Sequence, residues 1–99
     1  MKIIYYPKVE KEIVSLDKIN KAKVIKVIDL FEEYNFQLSQ EYLKKINKNI
    51  WELKAGRYRL LFGIVKQFSI IVNIFQKKTQ KTPIKEIKLA IFRFNQYEK

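Results

Sequence analysis

The sequence predicts an α+β fold with the element order βααβββα, in which an antiparallel-rich twisted sheet has its helices packed on one face. Two changes of hydrophobic period support this prediction. Apolar residues recur at helical spacing early in the chain, alternate between residues 51 and 64, and return to helical spacing after Pro83. The chain has only two prolines and two glycines, which favours continuous elements joined by short turns. Ninety-nine residues suit a single domain, which we expect to span residues 1–99.

The N-terminal part is predicted to form one strand and two helices. Residues 3–6 are β-branched or aromatic, as is typical of a strand, and Pro7 suits the first turn of a helix. Spacings of four and three place three residues of that helix on one buried side: Val9, Ile13 and Leu16. Asp17 is the expected N-cap of the second helix. That helix also has one apolar side, formed by Val24, Val27, Ile28, Phe31 and Tyr34.

A period of two then predicts a β-hairpin. We expect its turn at Ala55-Gly56, because glycine tolerates positive φ. With a two-residue turn, Lys54 faces Arg57 and Glu52 faces Arg59, all on one side of the sheet. The other side, towards the helices, is then apolar and consists of Trp51, Leu53, Tyr58 and Leu60.

A further strand is predicted over residues 68–76, after a turn at Lys66-Gln67. Two registers are open for it. An even-length turn places Ile74 and Gln76 on the side of Arg59. An odd-length turn places a different set there: Asn73, Phe75 and Lys77.

The last predicted element is a helix that begins at Thr82-Pro83. Thr82 is expected to be its N-cap and Pro83 its first helical residue. Its apolar side follows spacings of three, four and three: Ile84, Ile87, Ile91 and Phe94.

The net charge of +11 lies entirely in the second half of the chain. Residues 1–43 carry seven lysines and seven acids, whereas residues 44–99 carry fourteen Lys or Arg and only three acids. A basic surface of this kind favours a polyanion partner, because neutralised phosphates release condensed counterions. RNA, DNA or an acidic protein would each fit. DNA is the weaker candidate, since no helix has a clean basic face for a major groove.

The chain contains no cysteine and no histidine. Disulfides, thiolate metal sites and the usual general base near neutral pH are therefore excluded. No apolar run approaches the length needed to span a bilayer, and the apolar N-terminal segment is too short for a signal peptide. We expect a cytoplasmic protein with no cofactor, no metal and no membrane association.

The residues that could carry chemistry form a basic cluster: Lys54, Arg57, Arg59, Lys77, Lys78 and Lys81. RNA can be cleaved without histidine or metal, because its 2′-hydroxyl is the nucleophile. The reaction needs that oxygen deprotonated, the phosphate charge stabilised and the leaving 5′-oxygen protonated. Nearby cations lower the pKa of a lysine, which could then act as a base, while arginine could hold the phosphate bidentately.

Plainer interpretations of the same residues exist. Arg59 and Glu52 could form only a cross-strand ion pair, worth roughly 0.2–1 kcal/mol. The lysines of residues 77–81 could belong to a solvated loop. Phe75, beside that loop, is the aromatic residue we expect to stack on a base, whereas the other aromatic residues of the hairpin are expected in the core.

Three segments resemble the phage-derived, HigB-like branch of the RelE toxin superfamily. They are NIWELK at 49–54, RYRLLF at 57–62 and FQKKTQKTP at 75–83, the last followed by Glu86-Ile87 and Ala90. The pattern F-x-K-K-T-x-K-T-P ahead of a final helix is the most specific of the three. The resemblance implies a RelE-like fold and a type II toxin–antitoxin toxin. Such a toxin is a ribosome-dependent mRNA endonuclease that a helix-turn-helix antitoxin holds inactive.

The resemblance also implies roles for residues on the concave sheet face. Arg59 would hold the scissile phosphate, and Lys77, or failing that Lys78, would supply the cation for the transition state or for proton transfer. Lys54 would be a third catalytic residue or only a phosphate contact, since it stands at a position where many relatives have arginine. The remaining RNA contacts would come from Arg57, Lys78, Lys81 and Phe75. The alternative is a non-catalytic RNA- or ribosome-binding module that an antitoxin controls.

Overall fold

A computed structural model describes residues 2–98 and arranges them around a five-stranded sheet. The strands are β1 (Lys2–Tyr5), β2 (Leu43–Lys45), β3 (Trp51–Ala55), β4 (Tyr58–Val65) and β5 (Phe68–Gln76). The helices are α1 (Pro7–Val14), α2 (Lys18–Tyr34) and α3 (Ile84–Asn95), with a short 3-10 helix at Asn35–Gln37. The sheet order is β1-β5-β4-β3-β2, where β1 is parallel to β5 and the other neighbours are antiparallel. None of the helices within residues 2–98 is long and apolar enough to cross a membrane.

The predicted α+β class is confirmed, but the predicted order lacked one strand. β2 has only three residues and no alternating pattern, so nothing local indicates it. It forms because it pairs antiparallel with β3, with Leu43 opposite Leu53 and Lys45 opposite Trp51. β2 is consequently an edge of the sheet.

Two of the three predicted helix starts are confirmed. Pro7 is the first residue of α1. The Asp17 carboxylate accepts a hydrogen bond of 3.1 Å from the backbone N–H of Asn20 and so caps α2. The third prediction is wrong: Pro83 is the N-cap of α3, with no side-chain cap bond. The Thr82 hydroxyl instead donates a hydrogen bond to the Glu52 carboxylate on β3.

The helices lie on both faces of the sheet, which corrects the expectation of a single helical face. α1 and α2 cover one face, where their core residues meet those of the strands: Val9, Ile13, Val24, Val27, Ile28 and Phe31 against Leu53, Leu60, Phe62, Ile71 and Ile74. α3 packs on the opposite face of the sheet, where its Ala90 and Phe94 bury a second apolar cluster: Ile50, Leu61, Ile70 and Val72. Gly63 allows the close approach of α3, because a Cβ there would collide with the Phe94 ring.

The β3–β4 hairpin has a different register from the one predicted. Its two-residue turn is Gly56-Arg57, so Lys54 lies opposite Arg59, and Glu52 lies opposite Leu61. Gly56 has a φ of 63°, which explains why glycine occupies the turn. The difference is a shift of two residues, and such a shift keeps every side chain on its face. The predicted separation of charged from apolar side chains therefore holds.

A β-bulge decides the register of β5. The turn at Lys66-Gln67 has two residues, as predicted, and Val65 pairs with Phe68. The pairing then shifts by one residue between Leu61 and Phe62 of β4. Beyond that shift Arg59 lies opposite Phe75. The bulge thus gives an even-length turn the arrangement expected of an odd-length one, with Phe75 on the same side of the sheet as Arg59.

Candidate functional site

Part of the α3 side of the sheet carries charged residues from adjacent strands. The pairing of Lys44 with Glu52, and of Lys54 with Arg59, places these side chains on one face, since residues directly opposite share a face. Lys77 extends the ladder beyond β5, with its backbone N–H bonded to the Arg57 carbonyl at 2.8 Å. We call this set the charged face: Lys44, Glu52, Lys54, Arg59 and Lys77.

Glu52 is the buried centre of the charged face. Its side chain has no exposed surface, and its Oε2 accepts a 2.5 Å hydrogen bond from the Thr82 hydroxyl. Its Oε1 lies 3.9 Å from Arg59 Nε, as a diagonal ion pair rather than the directly opposite pair expected. Neither of these two buried atoms has a hydrogen-bond partner among the described residues. Thr82 therefore ties the segment that precedes α3 to the carboxylate beneath Arg59.

The Arg59 guanidinium is held at its other end by the backbone. Nη1 donates to the Gly56 carbonyl at 2.7 Å and to the Tyr58 carbonyl at 3.0 Å. The side chain is partly exposed, at 16%. A guanidinium that is fixed in orientation and still partly open to solvent can bind an anion at little further entropic cost.

Lys77 has a pKa below its ordinary value of 10.5. Burial is the largest cause, the Glu52 carboxylate opposes it, and the cations of Arg59, Lys44 and Lys54 lower the pKa further. The predicted direction is confirmed, although burial contributes more than the neighbouring cations. A lysine of this kind gives up its proton more readily than an exposed one, which suits proton transfer.

An open depression of about 500 Å³ brings several of the predicted residues together. It is lined by Gly56, Arg57, Arg59, Lys77, Lys78, Thr79 and Gln80. Phe75 is half-buried beside it, opposite Arg59, and packs against the α3 core. Lys81 and Lys54 do not line the depression. The Lys54 ammonium instead donates to the Gln40 carbonyl at 3.4 Å, near the sheet edge.

Three members of this site were not assigned to it from the sequence. Lys44 lies on the unpredicted strand, and Thr82 was assigned as a helix cap. Glu52 was considered only as an ion-pair partner, although it is the one acid between residues 44 and 85. That isolation within a basic stretch is the pattern that could have identified it. In the described part of the chain, no group of three or more acidic side chains could hold a metal ion.

A second polar contact fixes α3 over the sheet. Asn73 Nδ2 donates to Glu86 Oε1 at 2.9 Å and to the Glu86 carbonyl at 3.2 Å. Because Glu86 lies in the first turn of α3, this contact and the Thr82 hydrogen bond together fix the position at which the lysine-rich segment of residues 77–81 joins α3.

Comparison with known proteins places the chain in a family. The family model of the phage-derived Gp49-like proteins matches residues 11–95. The crystal structure of the isolated E. coli RelE toxin (P21 form) is similar, with a TM-score of 0.62 and 9% identity over 92% of this chain and 97% of that one. At this identity the likeness establishes the fold alone. No curated protein sequence matches the chain significantly. The chain belongs to the phage-derived Gp49-like family, a branch of the RelE/HigB-like toxin superfamily, as its basic motif at residues 75–83 predicted.

Proposed function

We propose that this protein is the toxin of a type II toxin–antitoxin system and that it cleaves mRNA on the ribosome without a metal ion. One observation carries the proposal: an anchored arginine and a lysine of lowered pKa line the same open depression. Membership of the Gp49-like family and the RelE-like fold support the toxin assignment.

In the proposed reaction the RNA supplies the nucleophile. Neutral Lys77 accepts the proton of the 2′-hydroxyl, the 2′-oxygen bonds to phosphorus, and the bond from phosphorus to the 5′-oxygen breaks. The products are a 2′,3′-cyclic phosphate and a 5′-hydroxyl, whose proton comes from a neighbouring ammonium such as Lys78 or from water. Arg59 stabilises the charge that develops on the phosphate oxygens.

The other basic residues are proposed to bind the RNA chain. Arg57 and Lys78 line the depression and are exposed, so they can contact flanking phosphates. Lys81 and Phe75 are proposed as further RNA contacts. Of the two roles expected for Lys54, catalysis or phosphate contact, we propose the phosphate contact, because its ammonium lies at Gln40.

The remaining parts of the proposal concern the cellular setting. We propose that residues 1–99 form one toxin domain, that it acts in the cytoplasm on translating ribosomes, and that a helix-turn-helix antitoxin inhibits it. The excess positive charge of residues 44–99 would attract both the ribosome and an acidic antitoxin segment.

The test is to map mRNA 5′ ends after brief expression, with and without active translation. We expect new ends that require translation, together with growth arrest. Arg59→Ala and Lys77→Ala should each reduce cleavage by about 10²-fold or more, because each removes a group that acts in the transition state. Lys26→Ala, on the exposed surface of α2, is the control and should leave cleavage unchanged.

Two outcomes would contradict parts of the proposal. Full cleavage by folded Arg59→Ala and Lys77→Ala variants would mean that the site lies elsewhere. Ribosome binding without any new mRNA ends would favour the alternative of a non-catalytic binding module.

A further inference from the structure

A second groove lies at the free edge of the sheet, beside β2 (Leu43–Lys45). Its volume is about 570 Å³. Its walls are mainly apolar and include Phe36, Leu38 and Trp51, and three ammonium-bearing side chains also line it: Lys44, Lys45 and Lys54. We call it the edge groove.

The aromatic wall of the edge groove is only partly buried. Phe36 is 40% exposed, although its ring packs edge-on against Phe31 with centroids 5.5 Å apart. The ring centroid of Phe36 also lies 4.8 Å from that of Trp51 and 6.3 Å from that of Phe62, and Trp51 is itself half-buried. The Lys45 ammonium lies 5.4 Å from the centroid of the Trp51 ring. Two aromatic rings and a cation are thus presented together at the surface.

The edge groove meets the charged face around the β2 edge, because its aromatic wall lies on the α1 and α2 side of the sheet. Lys44 and Lys54 take part in both, since they share a face with Arg59 and also line the groove. β4 and β2 are separated by two strand spacings, or about 10 Å. A polyanion that leaves the depression at Arg59 therefore meets the two lysines before it reaches the aromatic rings.

We propose that the edge groove binds a nucleotide of single-stranded RNA next to the cleavage site, with its base against Phe36 and its phosphates at Lys44 and Lys45. The inference rests on the proposed function and extends it to a second RNA subsite. Aromatic rings beside a basic track are how proteins hold single strands, since every base has a face that can stack. Continuity with the charged face favours RNA over an acidic peptide, because one polymer then neutralises both surfaces.

The test uses Trp51, the one tryptophan in the chain, as a fluorescent reporter inside the groove. The ligands are a dinucleotide and a hexanucleotide of 2′-O-methyl RNA, which lack the attacking hydroxyl and so cannot be cleaved. We expect the hexanucleotide to quench Trp51 emission and to bind more tightly than the dinucleotide at low salt.

Two variants separate stacking from charge. Phe36→Leu keeps an apolar side chain against Phe31 and should weaken hexanucleotide binding by about 5-fold or more through lost stacking. Lys45→Gln should reduce the slope of log affinity against log salt by about 0.7, as expected for one lost phosphate contact. Lys26→Gln on α2 is the matched control and should change neither quantity. Thermal melts confirm that each variant is folded.

Several results would overturn this inference while leaving the proposed function intact. One is hexanucleotide binding that Phe36→Leu and Lys45→Gln leave unchanged, while Arg59→Ala weakens the binding of both oligonucleotides. Another is quenching of Trp51 by an acidic peptide and not by the hexanucleotide. If neither oligonucleotide binds, the edge groove is not an RNA subsite, and the mapping of mRNA ends decides the proposed function separately.

Discussion

The two faces of the sheet are made from the same strands but are covered to different extents. On the α1 and α2 side, Phe31, Leu60 and Phe62 have no exposed surface and form one apolar core. On the other side, α3 covers a smaller apolar cluster, and the charged face adjoins it. Successive side chains of β3 and β4 point to opposite faces of the sheet. Each apolar residue on the first side is therefore followed by a residue that lies on the second side.

This division separates stability from chemistry. The charged face contains features that oppose folding: a fully buried carboxylate and a lysine whose pKa burial depresses. A well-packed core on the other side can offset such features, as proteins commonly do at functional sites. Substitutions on the first side should therefore change stability, whereas those on the second should change activity more.

The largest effect is expected for Phe31→Ala. The Phe31 ring is fully buried, and its centroid lies 4.8 Å from the centroid of the Phe62 ring. Removal of the Phe31 ring therefore leaves a cavity in the main core. We expect the free energy of unfolding, measured by urea denaturation, to fall by about 3–5 kcal/mol. Phe92→Ala is the matched control: Phe92 is 67% exposed on α3, and the change should be within about 0.5 kcal/mol. Equal losses in the two variants would contradict the assignment of stability to the α1 and α2 side.

Thr82→Val should have the next largest effect, and it tests the polar tie on the charged face. It removes the donor to the buried Glu52 carboxylate, at an expected cost of about 1.5–3 kcal/mol in urea denaturation. RNA cleavage should fall as well, because the segment after Lys77–Lys81 is no longer held to β3. Thr82→Ser keeps the hydroxyl and should restore most of both losses.

A second hydroxyl in the same segment provides a control for the Thr82 prediction. Thr79 is exposed, and its hydroxyl donates a hydrogen bond to the Lys81 carbonyl at 2.8 Å. Thr79→Val should change the free energy of unfolding by no more than about 0.5 kcal/mol. If Thr82→Ser, which keeps the hydroxyl, is as destabilised as Thr82→Val, the hydrogen bond to Glu52 does not account for the loss.

The parts of the fold that the sequence predicted correctly are those with a strong local pattern. Helical spacing identified α1, α2 and α3, and alternation identified β3 and β4. β2 escaped prediction because three residues carry no period, and it depends on pairing with β3, including a 2.8 Å bond from the Lys54 N–H to the Tyr42 carbonyl. The bulge in β5 lies within a run of buried residues on both faces, where alternation gives no register.

The candidate site was predictable to the same extent as its strands. Arg59, Lys54 and Glu52 were placed on one face because the hairpin alternation is clear, and a register error of two residues leaves faces unchanged. Lys44 was missed together with its strand. Thr82 was misassigned because a helix cap and a distant carboxylate compete for one hydroxyl, and only the tertiary structure decides between them.

The smallest expected effect concerns Lys77, and it has a distinctive pH dependence. Since the pKa of Lys77 in the folded protein is below its ordinary value of 10.5, the unfolded chain holds that proton more tightly than the folded one. The free-energy cost of holding the charged Lys77 ammonium in the folded protein therefore has its full value at a pH below the pKa of Lys77 in the folded state. This cost disappears as the pH rises to 10.5 and above. Lys77→Met should stabilise the protein slightly at pH 7, while it abolishes most RNA cleavage.

The difference in unfolding free energy between Lys77→Met and the wild type, measured by urea denaturation at increasing pH, should shrink towards pH 10.5. Lys78→Met, at the exposed neighbouring position, provides the comparison variant. A stability difference that stays constant with pH would mean that burial of the Lys77 charge is not what distinguishes the two positions. Convergence, combined with loss of cleavage, would show that the partly buried Lys77 ammonium both weakens the fold and serves the reaction, as expected where stability and chemistry are divided between two faces of one sheet.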